Sequence, residues 1–184
     1  ARSGLVSLYT KLVLIIFVLI IALMVVTGVF LTRGVSSFYT NEFYDQMQEV
    51  FSSVGLAEDL RESAAAGDYE HMAAIIRTYA GQLGIDSGTR NFHILSGDTG
   101  AWLAGSTQPE NGIEITPNIV TAIEGGNGYA YDPGADYMDV ALPIDGGSTG
   151  YIIYVVDNKS TMTSLNDQLI SIIVDALIVG LVIS

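Results

Sequence analysis

The chain has 184 residues, of which 49% are hydrophobic and 15% charged, and its formal net charge is −13. Chains this acidic are ordinarily poor in apolar residues, so a mean hydropathy of +0.43 places the hydrophobicity and the charge in different segments. The sign of the charge excludes nucleic acid as a partner, and the absence of cysteine excludes disulfides, thiolate metal sites and cysteine nucleophiles.

In chain order, residues 1–11 form a short start carrying Arg2 and Lys11. Leu12 to Leu31 is a run of 20 residues without a charge, which at about 1.5 Å per residue matches the roughly 30 Å of a bilayer core. It reads as a membrane helix over 12–32. It is longer than the apolar segment of a cleaved signal peptide, and no small-x-small cleavage site follows it. Residues 34–168 hold 19 acidic side chains against Arg61, Arg77, Arg90 and Lys159. Two positive charges ahead of the span and an acidic domain behind it predict a cytoplasmic N-terminus and an extracytoplasmic domain over 33–159.

Within that domain, Ser36 to Ser63 carries apolar residues at Phe43, Met47, Val50, Val54 and Ala57, a helical spacing that predicts one continuous helix. A second helix is expected over Asp68 to Leu83, capped by Asp68 and stopped by Gly84. The period then changes. Asn91 to Leu95 and Ala101 to Ala104 flank a turn at Ser96 to Gly100 and predict a hairpin. Thr116 opens a short helix with Pro117 in its first turn and Gly125-Gly126 behind it. Strands are expected at Gly128 to Tyr131, Tyr137 to Ile144 and Tyr151 to Asp157. The expectation is an α+β domain around a five-stranded antiparallel sheet.

An exit helix is expected from Ser160 to Gln168, running into a second apolar segment over 169–184. That segment is shorter than a full span, and with Ala1 in place of an initiator Met it predicts a piece of a longer protein. Met162, Leu165, Leu169, Ile172, Ala176, Val179 and Ile183 follow an a/d heptad, which favours a parallel homodimer over simple packing on the first span.

This organisation resembles the N-terminal half of a Gram-positive bacterial sensor histidine kinase of the cell-wall or phosphate-responsive type. The residues that carry the resemblance are Leu8-Tyr9-Thr10-Lys11-Leu12 before a span, Phe38-Tyr39 and Phe43 on the helix after it, and Phe92-His93-Ile94-Leu95 with the following turn. Ile119 to Gly125, Val140-Ala141-Leu142-Pro143-Ile144 and Gly150-Tyr151-Ile152-Ile153-Tyr154 complete it. The resemblance implies a PAS-like (PDC or Cache) extracytoplasmic domain, action as a homodimer in the lipid bilayer, and a response regulator as downstream partner. ATP and Mg would belong only to a kinase portion beyond Ser184. Chemoreceptors and membrane-anchored binding domains share the same front end and remain alternatives.

No catalytic constellation is found. Asp98-Thr99-Gly100 spells an aspartic-protease triplet but occurs once and in a turn. Gly146 to Gly150 lacks the following Lys and helix of a phosphate loop. His71 and His93 lack metal-site spacing, and no metal is expected. Asp132, Asp136 and Asp139 with Glu110 and Glu114 lack the regularity of a calcium loop and read as a solvated face. In the PAS-like fold the resemblance implies a pocket between the sheet and its helix-bearing connection. Arg90, His93, Trp102, Tyr129, Tyr131, Tyr137 and Asp139 are the candidates for it, and an Arg among tyrosines suits a carboxylate or phosphate. The alternative is that these aromatics fill a closed core. Asp175, inside the second span, is expected to couple the two spans, with Thr27 at similar depth as a hydrogen-bond donor. Leu165, Leu169 and Ile172 are the expected signalling contacts between copies.

Overall fold

The structure is a computed structural model describing the backbone of residues 2–147 and 150–183, with side chains described over 8–147 and 150–180. The chain divides into two compact units, residues 1–39 with 161–184, and residues 40–160. Ser148 and Thr149 of the expected glycine-rich turn, and the Ile183 side chain of the expected heptad, lie outside the described residues.

Helix α1 runs from Arg2 to Phe51 without interruption, because nothing in this stretch removes a backbone donor and its glycines stand singly. The helix expected to continue to Ser63 breaks instead at Ser52-Ser53. Their hydroxyls turn back onto the carbonyls of Glu49 (3.0 Å) and Val50 (2.7 Å), competing with the helix for those acceptors. Helix α2 (Val54–Ala65) restarts with its buried face rephased to Leu56, Leu60 and Ala64, while Val54 is 78% exposed. With Gly55 and no capping side-chain hydrogen bond, α2 is held mainly by Leu56 and Leu60. Each fully buried leucine contributes about 1.5–3 kcal/mol.

The next expected helix is also divided, into α3 (Tyr69–Thr78) and α4 (Ala80–Leu83). Its ends are as the sequence indicated: Asp68 Oδ1 accepts from the His71 N–H at 2.9 Å, and Gly84 closes α4 in the left-handed region at φ 64°. Asp86 then accepts the backbone N–H groups of Gly88, Thr89 and Arg90, which lowers its pKa and starts strand β1.

Four strands follow: β1 (Arg90–Ser96), β2 (Trp102–Gly105), β3 (Met138–Ile144) and β4 (Tyr151–Asp157), with helix α5 (Pro117–Ile123) between β2 and β3. The sheet is antiparallel in the order β2-β1-β4-β3, so β4 is central and is the last strand before helix α6 (Ser160–Ile183). Phe92, Ile94, Met138, Val140, Ile153 and Val155 share one face and build the larger core with α1, α2 and α3. Leu95, Ala141, Ile152 and Tyr154 share the opposite face and pack under α5 through Ile119 and Ala122.

The expected fifth strand, Gly128 to Tyr131, is reduced to one bridge between Gly128 and Ala141. The register of that bridge would next pair Ala130 with Asp139, but the Asn118 amide occupies the gap. Its Oδ1 accepts from the Ala130 N–H at 2.8 Å, and its Nδ2 donates to the Ala130 carbonyl at 2.9 Å and the Asp139 carbonyl at 3.0 Å. A side chain thus replaces the ladder bonds, and the strand cannot propagate. Gly128 is glycine for a reason of space, since a Cβ there would collide with the Asn118 backbone.

In the other unit, α6 approaches α1 where a Cβ on Gly28 would lie 3.2 Å from Ile173 Cδ1, and Asn166 Nδ2 donates to Ser36 Oγ at 3.2 Å. Both helices are long and apolar enough to cross a membrane, the relevant windows having mean hydropathies of 3.3 and 1.4.

Candidate functional site

A buried polar cluster lies on the sheet face under α5. Asp139 of β3 is 4% exposed and held by neutral donors. Thr116 Oγ1 donates to Oδ2 at 2.6 Å, Asn118 Nδ2 donates to Oδ1 at 2.7 Å, and the Tyr154 hydroxyl is directed at the same carboxylate. Burial raises the Asp139 pKa, and the three donors oppose that rise by stabilising the ionised form. Burial, with the nearby Asp139 charge, also pushes the Tyr154 hydroxyl upward, so it stays protonated and able to donate. Thr116 works at both ends, because its Oγ1 also accepts from the Ile119 N–H at 3.3 Å and caps α5. The position of α5 is therefore tied to the carboxylate of β3.

His93 of β1 faces Tyr154 of β4 across the register, their rings stacked at 6.2 Å and 26°. Desolvation lowers the His93 pKa to about 4, so the ring is neutral near pH 7. Trp102 Nε1 donates to His93 Nδ1 at 3.2 Å, which leaves the ring proton on Nε2. Trp102, His93, Tyr154, Asp139, Thr116 and Asn118 thus form one belt across β2, β1, β4, β3 and the start of α5. Only His93, Trp102 and Asp139 were legible as candidates. Tyr154 alternates with Ile152 and Val156 in the sequence, which marks one face of a strand but not which face; Thr116 and Asn118 read only as the start of a helix.

The other candidates lie elsewhere. Arg90 is on the opposite face, where Nε pairs with Asp157 at 3.0 Å and Nη1 donates to Gln46 Oε1 at 2.6 Å and to the Leu83 carbonyl at 2.8 Å. Its guanidinium also sits 4.8 Å from the Phe43 ring centroid. Three donated bonds and a stacked face make it a clamp between α1, the end of α4, β1 and β4. Tyr129 packs against the larger core, and burial raises its pKa. Tyr131 is 41% exposed, edge-on to Tyr44 at 6.1 Å, and carries Lys159 Nζ at 5.1 Å from its centroid. Tyr137 is half-buried, and burial with Asp139, Glu114 and Asp132 nearby raises its pKa. Asp132, Asp136, Glu110 and Glu114 are exposed, unlike Asp139. Among the described residues no group of three or more His, Asp or Glu is placed to hold a metal ion.

The passage from β4 to α6 is short and fully tied. Only Asn158 and Lys159 separate Asp157 from Ser160. The Asn158 N–H donates to the Thr89 carbonyl at 3.0 Å, its Nδ2 to the Gly88 carbonyl at 3.0 Å, and its Oδ1 accepts from the Ser160 N–H at 3.0 Å. Lys159 is buried and adopts φ 57°, with its N–H on Asp157 Oδ1 at 2.8 Å and Nζ on the Ala135 carbonyl at 2.6 Å. A non-glycine residue in the left-handed region persists where its surroundings hold it.

In the helical unit, Thr27 Oγ1 donates to the Leu23 carbonyl of its own helix at 2.9 Å, and Asp175 is exposed. The two are not brought together. Leu165 and Leu169 are half-buried and Ile172 is 63% exposed. No family model, curated protein or solved structure matches the chain.

Proposed function

We propose that this chain is the sensor and transmembrane half of a bacterial two-component histidine kinase, with residues 40–160 forming a PAS-like extracytoplasmic module. The observation that carries the reading is the junction. The central strand of the sheet enters an apolar, membrane-length helix through two residues, and both are fixed to the sheet and its loops. A flexible tether would absorb any movement of the sheet, whereas this one hands it on.

Three further features support the reading. Large apolar side chains on α1 are widely exposed, among them Leu19 at 64%, Leu23 at 63% and Phe30 at 72%, a surface that suits lipid rather than water. An antiparallel sheet covered on one face by a helix-bearing connection is the arrangement the PAS-like resemblance implies. The belt of Trp102, His93, Tyr154 and Asp139 lies under that connection, where a carboxylate or other small hydrogen-bonding ligand would exchange with the donors Thr116, Asn118 and Tyr154. Signal in this scheme shifts α5, then β3 and β4, then α6, and reaches a kinase portion that uses ATP and Mg to phosphorylate a response regulator.

Two results test it. In intact cells a membrane-impermeant maleimide should label Gln108→Cys, and should reach Ser7→Cys only after permeabilisation; the reverse pattern overturns the orientation. The coding sequence past Ser184 should continue into a phosphoacceptor helix and an ATP-binding domain. A methyl-accepting coiled coil or a stop codon would replace the kinase with a receptor or an anchored binding domain.

A further inference from the structure

Asparagine followed by glycine occurs twice in the chain, at Asn111-Gly112 and at Asn127-Gly128. Such a pair carries its own chemistry. The backbone nitrogen after an asparagine can attack the side-chain amide carbon, and glycine has no Cβ to shield that nitrogen or to restrict the rotation the attack requires. The fold treats the two pairs in opposite ways.

Gly128 is buried, its N–H donates to the Ala141 carbonyl at 2.8 Å, and its carbonyl accepts from the Ala141 N–H at 2.9 Å. Its Cα lies against the Asn118 backbone, with no room even for a Cβ. The bridge therefore holds the Gly128 nitrogen and prevents it from turning onto the Asn127 side chain. Asn111-Gly112 lies in the connection of residues 106–116 between β2 and α5. Both residues are exposed, and Gly112 takes φ 78° with open space where a Cβ would stand. Among the described residues neither the Asn111 side chain nor the Gly112 N–H has a hydrogen-bond partner, so nothing must break before the two approach each other. We propose that Asn111 is a site of spontaneous conversion to aspartate and isoaspartate, and that the sheet protects Asn127 from the same reaction.

The Gly112 nitrogen gives up its proton and bonds to Asn111 Cγ, and the side-chain nitrogen leaves with that proton as ammonia, closing a succinimide ring. Water then opens the ring. Cleavage of the new bond at Cγ gives aspartate; cleavage at the Asn111 main-chain carbonyl carbon gives isoaspartate, whose backbone runs through the former side chain and is longer by one methylene. Either product adds a negative charge between Glu110 and Glu114, and isoaspartate also lengthens the connection shortly before Thr116, which caps α5 and donates to Asp139. This chemistry requires neither a membrane nor a kinase, so it stands or falls apart from the proposed function.

The test is peptide mapping by mass spectrometry of the full chain in detergent, before and after incubation at mildly alkaline pH. The peptide containing Asn111 should exchange NH for O and accept a methyl group from an isoaspartate-specific methyltransferase. It should do so about tenfold or more faster than the peptide containing Asn127, where two backbone hydrogen bonds must open first. In urea the two rates should converge. Asn111→Gln, whose longer side chain closes a larger ring, should remove the signal from 106–116. Conversion of Asn111 no faster than that of Asn127 in the folded chain overturns the inference, and so does a difference that persists unchanged in urea.

Discussion

Replacing Arg90 with Met removes a cation that ties α1 and the end of α4 to β1 and β4, and its cost can be worked from the contacts. The ion pair to Asp157 has side chains only 13% and 7% exposed. Removing one partner of a buried pair ordinarily costs about 3–5 kcal/mol, because the other charge remains desolvated. Asp157 keeps the Lys159 N–H at 2.8 Å, and the Met side chain preserves packing over Phe43, so the low end applies, about 3 kcal/mol. That is a large part of the 5–15 kcal/mol typical of a domain, and for a unit of this size it corresponds to a fall in Tm of about 10 °C. Arg90→Lys keeps the charge but cannot reach Asp157, Gln46 and the Leu83 carbonyl together, and should lose about half as much. Adding Asp157→Asn to Arg90→Met should cost less than the two changes summed. The assay is thermal and urea unfolding of the full chain in detergent, followed by the fluorescence of Trp102, the single tryptophan. Arg90→Met within about 0.5 kcal/mol of the parent, and indistinguishable from the exposed control Arg61→Met, would refute the clamp.

Three other outcomes follow from the same contacts. His93 is neutral when folded, with its pKa lowered to about 4, so its contribution is complete above the ordinary value near 6.5 and is lost as pH falls towards 4. Unfolding free energy should drop by about 3 kcal/mol across that window, and His93→Gln should flatten the slope when followed by circular dichroism. Asp139 acts in the opposite sense: its raised pKa makes the fold lose stability as pH rises from about 4 through the folded value, so Asp139→Asn should remove a counter-slope and steepen the His93 profile. Asn118→Ala should cost about 2 kcal/mol by leaving the buried Asp139 groups and the part-buried Ala130 amide unpaired, and Gly128→Ala should cost at least as much, because its methyl group meets the Asn118 backbone; urea midpoints at constant m-value check both.

Local signals were legible where one residue decides them. Asp68 and Thr116 as N-caps, Gly84 as a left-handed stop, and the alternation of β1, β3 and β4 are all in the sequence because each depends on side-chain chemistry within a few positions. The breaks at Ser52-Ser53 and Tyr79 were not, since helical periodicity continues through both and only tertiary packing of Leu56 and Leu60 rephases the face. The missing fifth strand was illegible for a related reason: Asn118, ten residues upstream of Gly128, supplies the hydrogen bonds that Ala130 would have exchanged with Asp139. Arg90 and His93 are three residues apart, which in a strand puts them on opposite faces, so a site containing both required a departure from period two.

The account depends on the state of the sheet passing from the face under α5 into the exit helix. Hydrogen–deuterium exchange of the full chain in lipid nanodiscs, comparing Asp139→Asn with the parent, measures this passage amide by amide. Altered protection should appear together at 116–119, along β4, and over 160–168. Changes confined to α5 and β3, with 160–168 exchanging as in the parent, would contradict coupling through the Asn158-Lys159 junction.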